Sequence, residues 1–288
     1  MPNHREVSPE SAAASNRFNL SAVELKEMAK ELRRHVIRMT ATAGSGHPGG
    51  SLSAADIITA LYFKVLRHKP ENPHWPDRDR FILSKGHAAP ILYASLAETG
   101  YFPVAELATL RKLGSRLQGH TDSKFTPGVE MSSGSLGMGL SFSVGVALAA
   151  RLDAKTYRTY VLLSDGECEE GQTWEAALSA AQFKLDNLTA IVDYNGIQLS
   201  GWTRDIMNLE PFTSKWQAFG WHTIDIDGHD FDQILSACQG AEKIKDKPTV
   251  IVAHTIKGKG VSFMENNVTF HGKAPTWAEA ERALKELE

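Results

Sequence analysis

The sequence predicts an α/β fold, in which a doubly wound, mostly parallel sheet carries helices on both of its faces. From about residue 157, short apolar runs alternate with helix-forming segments, which is the order of strand–helix–strand crossover units. Two of these runs end in polar turns, one containing Asp165-Gly166 and the other Asn195-Gly196. Because ligands of such sheets bind outside the carboxyl ends of the strands, Asp165 and Asn195 are candidate site residues.

The front of the chain is predicted to be helical. Ser21 and Glu24 form a capping box, and apolar residues follow at helical spacing, so a first helix should end near Ala43. A glycine-rich loop, 44–50, ends that helix. A second helix is predicted over residues 53–66.

Two further helices are predicted before the strands begin. One covers residues 88–98, after a proline-rich turn. The other lies within 132–150, an uncharged segment that includes five Ser and four Gly. This composition falls short of the ~20 predominantly apolar residues of a membrane span, and it predicts a buried helix that packs closely through small residues.

The back half supplies the predicted strands and the helices between them. Apolar runs rich in β-branched or aromatic residues predict strands at 160–163, 188–192, 222–226 and 249–253. The predicted helices are 172–183, 231–244 and 277–287. We expect residues 1–18 to form a loosely held arm and residues 19–288 to form one domain.

The composition limits the function classes. Of 288 residues, 42% are hydrophobic and 23% are charged, as in ordinary globular proteins. The 31 basic and 34 acidic residues are well mixed and give a net charge of -3, which predicts neither a nucleic-acid groove nor a membrane surface. Two cysteines form no disulfide framework, and the first twenty residues lack the apolar core of a signal peptide. A cytoplasmic protein is expected.

The turns after two predicted strands suggest a metal site. Asp165 and Asn195 lie thirty positions apart and both offer side-chain oxygen, which Mg²⁺ prefers as a ligand. Gly166 permits a close backbone approach to a phosphate, and Gly196 can turn the chain so that the carbonyl of Ile197 supplies a third ligand. The alternative is ordinary turn chemistry, since Asp-Gly and Asn-Gly are favoured after any strand.

Four histidines lie in glycine-containing loops. Imidazole can donate to a phosphate or a sugar hydroxyl, and it titrates near neutral pH. A single histidine in such a loop is usually a solvated surface residue, and with eleven histidines in the chain several are expected near glycines by chance. The loops are Gly46-His47-Pro48-Gly49, Ser84-Lys85-Gly86-His87, Gly119-His120 and His271-Gly272.

From about residue 20 onward, the chain resembles the diphosphate-binding half of transketolases. The thiamine diphosphate fingerprint of that superfamily is Gly-Asp-Gly followed after roughly thirty residues by Asn; here it is Ser164-Asp165-Gly166 and Asn195, with Ser164 in place of Gly. The resemblance implies thiamine diphosphate as cofactor. It also implies Mg²⁺, replaceable by Ca²⁺ or Mn²⁺, bound by Asp165, Asn195 and the Ile197 carbonyl.

The resemblance further implies the roles of individual residues. His47, His120 and His271 would be catalytic, facing the donor sugar. Glu170 and Glu175 would form an acidic pair at a subunit interface. The implied cofactor-binding residues are His87, Gly134, Ser135, Leu136, Asp165, Gly166, Glu170, Asn195 and His271.

Three local features have competing interpretations. The glycines at 134–139 before a helix could suggest a nicotinamide-binding turn, but no strand is predicted immediately before them. Glu167 and Glu169 are explained by the preference of acidic residues for the first turn of a helix. The turn Lys257-Gly258-Lys259-Gly260 could grip an anion or could be a solvated surface turn.

The resemblance implies an enzyme that needs a partner. In the family, the glutamate that protonates the cofactor and the arginines that hold the sugar phosphate lie in the next domain. We therefore expect a separate C-terminal subunit, within a two-plus-two assembly around a homodimer of these halves. Together they would transfer a two-carbon ketol unit from a ketose phosphate to an aldose phosphate. The alternatives are a subunit that resembles deoxyxylulose phosphate synthase, a specialised sugar or sulfosugar transketolase, and a non-catalytic partner chain.

Overall fold

Five parallel strands form the central sheet in the computed structural model, which describes residues 18–288. The sheet order is β1-β2-β3-β7-β6, and β4 and β5 form a separate antiparallel pair. The strands are β1 (Arg80–Leu83), β2 (Thr159–Ser164), β3 (Leu188–Tyr194), β4 (Ile197–Gln198), β5 (Gly201–Trp202), β6 (His222–Asp227) and β7 (Thr249–His254).

The strand register brings several loops to one edge of the sheet. Ser164 at the end of β2 is level with Asp193 near the end of β3. Tyr194 at the end of β3 is level with His254 at the end of β7. Because these strands are parallel, the loops that follow them emerge side by side at the edge where the sequence predicts a site.

Helices cover both faces of the sheet, as predicted for a doubly wound fold. Tyr160 and Leu162 of β2 face a core that contains apolar side chains of α1, α3, α4 and α9. Val161 and Leu163 face a second core, with side chains of α5, α6 and α8. The described helices are α1 (Ala22–Ala43), α2 (Pro48–Ser53), α3 (Ala55–Ala60), α4 (Ala89–Thr99), α5 (Met138–Leu152), α6 (Gly171–Gln182), α7 (Thr203–Ile206), α8 (Phe212–Ala218), α9 (Phe231–Lys243) and α10 (Trp277–Glu286).

Helix α1 begins and ends where the sequence predicts. Ser21 N donates to Glu24 Oε2 at 2.8 Å, and the Ser21 hydroxyl accepts from Glu24 N, which completes the capping box. Of the apolar residues at helical spacing, Leu32, Val36 and Ile37 are buried, whereas Val23 is exposed. It ends at Gly44, whose φ of 59° is the left-handed conformation that commonly terminates helices.

The helix predicted over residues 53–66 is wrong in its bounds. Helix α2 starts earlier because Pro48 occupies its first turn, where a missing N–H costs nothing. The Ser53 hydroxyl donates to the Gly50 carbonyl and to Asp193, and the helix is interrupted at the next residue. Helix α3 then continues into a π-helical turn, Leu61–Val65.

Two other predictions also need correction. Strand β1 was not predicted, because four residues at the sheet edge are too short to produce a clear period. The small-residue segment 132–150 becomes helical only at Met138, and Met138 and Phe142 are exposed, so α5 is not buried on all sides. No strand lies in the described segment 100–137 before α5, as expected for a chain without a nicotinamide-binding turn.

The remaining predicted strands and helices agree with the structure to within two residues at each end. Residues 1–17 of the predicted arm lie outside the described residues. Among residues 18–288, no helix combines the length and the apolarity that a bilayer crossing requires.

Candidate active site

A cavity of about 310 Å³ opens at the carboxyl edge of the sheet. Ser135 is exposed and does not line it, and His120 lies beside His47 rather than in the cavity wall. A larger, more open cavity beside residues 106–125 contains none of the predicted site residues. The predicted residues that do line the 310 Å³ cavity are His47, His87, Gly134, Leu136, Asp165, Gly166, Glu170, Asn195, Ile197 and His271.

Asp165 ties together the two loops that carry the fingerprint. One carboxylate oxygen accepts from Gly166 N at 2.8 Å and the other accepts from Gly196 N. The side chain is almost fully buried. Burial, with the nearby Asp193 carboxylate, raises the pKa of Asp165 to about 6, although Lys257 partly opposes this. A cation bound here would favour the ionised form.

Asn195 and Ile197 follow on the neighbouring loop. Gly196 has a φ of 74°, a left-handed conformation that reverses the chain between them. Asn195 Oδ1 accepts from Ile197 N at 3.1 Å, and its Nδ2 donates to Asp193 Oδ2 at 3.2 Å. Both residues are buried and line the cavity, as the metal prediction requires.

The oxygen atoms of this cavity suit a hard divalent cation. Asp165, Asn195 and the Ile197 carbonyl offer a carboxylate, an amide oxygen and a backbone oxygen, the types that Mg²⁺ and Ca²⁺ bind. The Ile197 carbonyl already accepts a cationic donor, the Lys257 ammonium, at 2.6 Å. Among residues 18–288, no three side chains of the His, Cys, Asp or Glu type are grouped to hold a metal ion, and the candidate ligand set here contains a single carboxylate.

Lys257 is a site residue that the sequence left undecided. Its side chain is buried, and its Nζ lies between the Ile197 carbonyl and His271 Nδ1, at 2.6 and 2.8 Å. Burial lowers the pKa of Lys257 to about 8, although Asp165 opposes this shift. The solvated-turn interpretation is therefore wrong for Lys257. It holds only for Lys259, which is partly exposed and pairs with Glu265 at 3.7 Å.

The four predicted histidines lie together. The His47 ring centroid is 5.5 Å from that of His87, 6.1 Å from that of His120 and 5.8 Å from that of His271. The His87 and His271 rings stack at 5.2 Å. Residues separated by more than 200 positions in sequence thus form one imidazole cluster over the cavity.

Burial and neighbouring positive charge keep this cluster neutral at physiological pH. Desolvation, with help from Arg111, lowers the pKa of His47 to about 4. Desolvation and Lys257 lower the pKa of His271 to about 3, and burial also lowers the pKa of His87. Because the Lys257 ammonium can only donate, His271 Nδ1 accepts, and its Nε2 carries the proton. Neutral imidazoles can both donate and accept hydrogen bonds.

Arg111 is a site residue that the sequence analysis missed. It is exposed, and its guanidinium donates to Ser45 Oγ at 2.9 Å, to the Gly119 carbonyl at 3.4 Å and to His47 Nδ1 at 3.5 Å. It thereby links the loops of His47 and His120. No local motif marks it, because its role depends on loops that are distant in sequence.

Glu167 lies in the first turn of a short 3-10 helix, Gly166–Glu169, as predicted, but its contacts go beyond those of a first-turn acid. It is fully buried, and it accepts from Ser84 Oγ, from Gly137 N at 2.8 Å and from Ser164 N at 3.3 Å. Burial raises the pKa of Glu167, although these donors oppose the shift. Glu167 joins three loops around the cavity, whereas Glu169 stays partly exposed.

A buried ion pair lies beneath the cavity and was also missed. Lys85 and Asp193 have fully buried side chains in direct contact. Lys85 Nζ also donates to the Gly50 carbonyl at 3.0 Å. Although burial opposes it, the Lys85 ammonium lowers the pKa of Asp193 below its usual value.

Known proteins resemble this chain over most of its length. The family described as transketolase, thiamine diphosphate binding domain, matches residues 25–287. A 6-deoxy-6-sulfo-D-fructose transketolase subunit of Clostridium sp. (strain MSTE9) is 45% identical over 266 residues, covering 92% of this chain and 97% of that one. One subunit of an apulose-4-phosphate transketolase from Actinobacillus succinogenes is 44% identical over 273 residues, covering 94% and 99%.

The fold is also shared with solved transketolases. The transketolase of Campylobacter jejuni superimposes with a TM-score of 0.88 at 34% identity, covering 93% of this chain. This chain spans 43% of the length of that solved chain. Sequence and fold together show that the chain belongs to the transketolase family, as an N-terminal subunit that carries the thiamine diphosphate-binding domain.

Proposed function

We propose that this subunit, together with a C-terminal subunit, transfers a two-carbon ketol unit from a ketose phosphate to an aldose phosphate. The observation that carries the proposal is the convergence of a hard-cation oxygen set and three histidines on one cavity, with His120 beside His47 at its edge. The relatives named as transketolase subunits, which this chain covers almost completely, support it.

The proposed roles follow from the contacts of each residue. When bound, thiamine diphosphate supplies a nucleophilic carbon that can break and form carbon–carbon bonds. Asp165, Asn195 and the Ile197 carbonyl would hold Mg²⁺, or Ca²⁺ or Mn²⁺ in its place, against the diphosphate. Lys257, whose Nζ contacts the Ile197 carbonyl, and His87, which lines the same cavity, would donate to the phosphate groups.

The remaining histidines would face the sugar. His47, His120 and His271 are neutral and clustered, so they can donate hydrogen bonds to a sugar carbonyl or hydroxyl and take up a proton. Arg111 would hold the His47 and His120 loops at the correct separation.

The proposed assembly requires further subunits. Glu170 and Glu175 are exposed at the start of α6, and apolar Met138, Phe142 and Leu178 are exposed on α5 and α6. An exposed patch of this kind supports a protein interface, here in a homodimer of these halves within a two-plus-two assembly. We also place the protein in the cytoplasm, in keeping with its buried, unpaired Cys168 and Cys238.

A second candidate is a specialised transketolase acting on a sulfosugar. The sulfofructose and apulose-phosphate transketolase subunits are almost equally similar to this chain, at 45% and 44% identity. Both reactions would use the same cofactor site, and the group that holds the anionic end of the sugar would come from the C-terminal subunit. Substrate profiling of the complete assembly distinguishes the two.

The test is ketol transfer by this chain mixed with its C-terminal subunit. The combined variant Asp165→Ala with Asn195→Ala is expected to lose at least about 100-fold in activity, because two of three metal-ligand oxygens are removed. Asp153→Ala, at an exposed helix end, is the control and should keep parental activity. Activity that survives the double variant would contradict the metal assignment.

A further inference from the structure

The Lys85–Asp193 pair is more than a buried salt bridge, because its contacts reach a helix and three loops of the site. Lys85 precedes His87 in one loop, and it donates to Gly50 at the start of α2. Asp193 accepts from Ser53 Oγ at 2.6 Å and from Thr255 Oγ1. The pair therefore connects α2 and the loops after β1, β3 and β7.

Stability alone does not account for such a pair. Taking two charges out of water is costly, and a well-packed apolar pair of similar volume is often as stable. The Asp193 carboxylate nevertheless accepts hydrogen bonds from four donors. They are the Ser53 and Thr255 hydroxyls, the Lys85 ammonium and the Asn195 side-chain amide. A buried side chain with several hydrogen bonds holds its bonding partners in fixed orientations.

The fourth donor to Asp193 is the side-chain amide of Asn195. Nδ2 donates to Asp193 Oδ2 at 3.2 Å, and Asp193 as a carboxylate can only accept. This contact assigns the amide, because the opposite orientation would set Oδ1 against a carboxylate oxygen. The nitrogen is thereby directed to Asp193, and Oδ1 is left on the other side, where it meets Ile197 N.

We propose that Asp193, anchored by Lys85, is a positioning residue that orients the Asn195 amide so that its oxygen is available to the divalent cation. The inference rests on the proposed function, since it concerns the same metal site. An amide that presented Nδ2 to the cavity would repel a cation, so the orientation decides whether Asn195 is a ligand.

The test measures how thiamine diphosphate binding by the full chain depends on added Mg²⁺. Asp193→Asn keeps the side-chain size but no longer defines the Asn195 orientation, and the Mg²⁺ requirement is expected to rise about 10- to 100-fold. The exchanged variant, Asp193→Asn with Asn195→Asp, keeps one amide, one carboxylate and the same charge. It should need at least about threefold less Mg²⁺ than Asp193→Asn, because the new amide donates to the new carboxylate and leaves an oxygen for the metal, although position 193 no longer offers Lys85 a carboxylate.

The exchange separates positioning from support of the fold. If Asp193 acts only as the partner of Lys85, the exchanged variant is as defective as Asp193→Asn, and the proposal is overturned. Equal Mg²⁺ requirements for Asp193→Asn and the parent overturn it as well. If the parent shows no Mg²⁺-dependent binding, the proposed function fails and the positioning role with it.

A measurement on the unmodified chain covers the case in which the variants do not fold. The side-chain amide protons of Asn195 are bonded to a buried carboxylate, so they should exchange with solvent deuterium far more slowly than those of the exposed Asn72. Equal exchange rates at the two residues would overturn the proposal regardless of the variants.

Discussion

Charge at the candidate site is balanced among buried side chains. The ammonium groups of Lys85 and Lys257 face the carboxylates of Asp165 and Asp193. Lys85 and Asp193 form an ion pair, and Asp165 and Lys257 are each hydrogen-bonded to the surrounding backbone, which makes burial of these charges tolerable. A diphosphate with a divalent cation would add charges of both signs, so the site can accept the pair without a large electrostatic mismatch.

The neutral histidines give a pH dependence with a defined sign. The pKa of His47 is about 4 in the folded chain, against 6.5 for an ordinary histidine. Between these values the unfolded chain binds a proton that the folded chain does not, so stability is lost as the pH falls. Asp165 works in the opposite direction, since its pKa is raised from 3.8 to about 6.

Replacing His47 isolates its part of this dependence. From about pH 7 to about pH 5, the parent should lose about 1 kcal/mol more stability than His47→Gln, after allowance for partial exposure of the ring. Urea unfolding at each pH measures this difference. Asn72→Gln, at an exposed residue whose side chain does not titrate, is the control and should keep the parental slope. A parental slope in His47→Gln would contradict the desolvation of this ring.

At the scale of elements, the start of α5 packs unusually close to the loop after β1. Gly139 N donates to Ser84 Oγ at 3.1 Å. A Cβ at Gly139 would lie 2.4 Å from Ser84 Cβ and 2.7 Å from its Cα. Ser84 also donates to Glu167, so this contact joins the helix to two loops of the site. Only glycine therefore fits at position 139 without a shift of the backbone.

Two glycines of α5 provide a matched pair of variants. Gly139→Ala is expected to destabilise the chain by about 1–3 kcal/mol, because backbone must move to relieve the overlap. Gly145→Ala, where nothing lies within 4 Å of the added Cβ, should stabilise it by about 0.5–1 kcal/mol through helix propensity. Thermal or urea unfolding measures both, and shifts of the same sign would contradict this packing.

The success of sequence prediction differs between elements for physical reasons. Strands β2, β3 and β7 are apolar runs closed by polar turns, and the capping box of α1 is a local signal, so both were predicted. Strand β1 was not predicted, because it depends on pairing with β2. The break between α2 and α3 was not predicted either, because it depends on the hydrogen bond from Ser53 to Asp193.

The site residues also divide into those that a local sequence signal marks and those that depend on contacts between distant segments. Asp165, Asn195 and the histidines were predicted because they lie in motifs with glycine or at strand ends. The positions of Lys85, Arg111, Glu167 and Asp193 in the site depend on contacts between loops far apart in sequence, which no periodicity reports. The contacts of these four residues form only when the chain folds.

At the scale of the whole molecule, the proposed function makes this chain the anchoring half of an active site. The oxygen atoms of Asp165, Asn195 and Ile197, together with Lys257, His47, His87 and His271, line one cavity. By the proposal, the groups that activate the cofactor and hold the anionic end of the sugar come from another subunit. Cofactor anchoring should therefore be measurable in this chain, whereas ketol transfer should require the assembly.

The most direct test of the central claim is calorimetric titration of the chain with thiamine diphosphate, in the presence of Mg²⁺ and then of a chelator. We expect binding only with the divalent cation, none of thiamine without its diphosphate, and loss of binding in Asp165→Ala, because the metal links the cofactor to the protein oxygens. Binding of equal affinity in the chelator, or in Asp165→Ala, would contradict the assignment of this cavity as the magnesium diphosphate site.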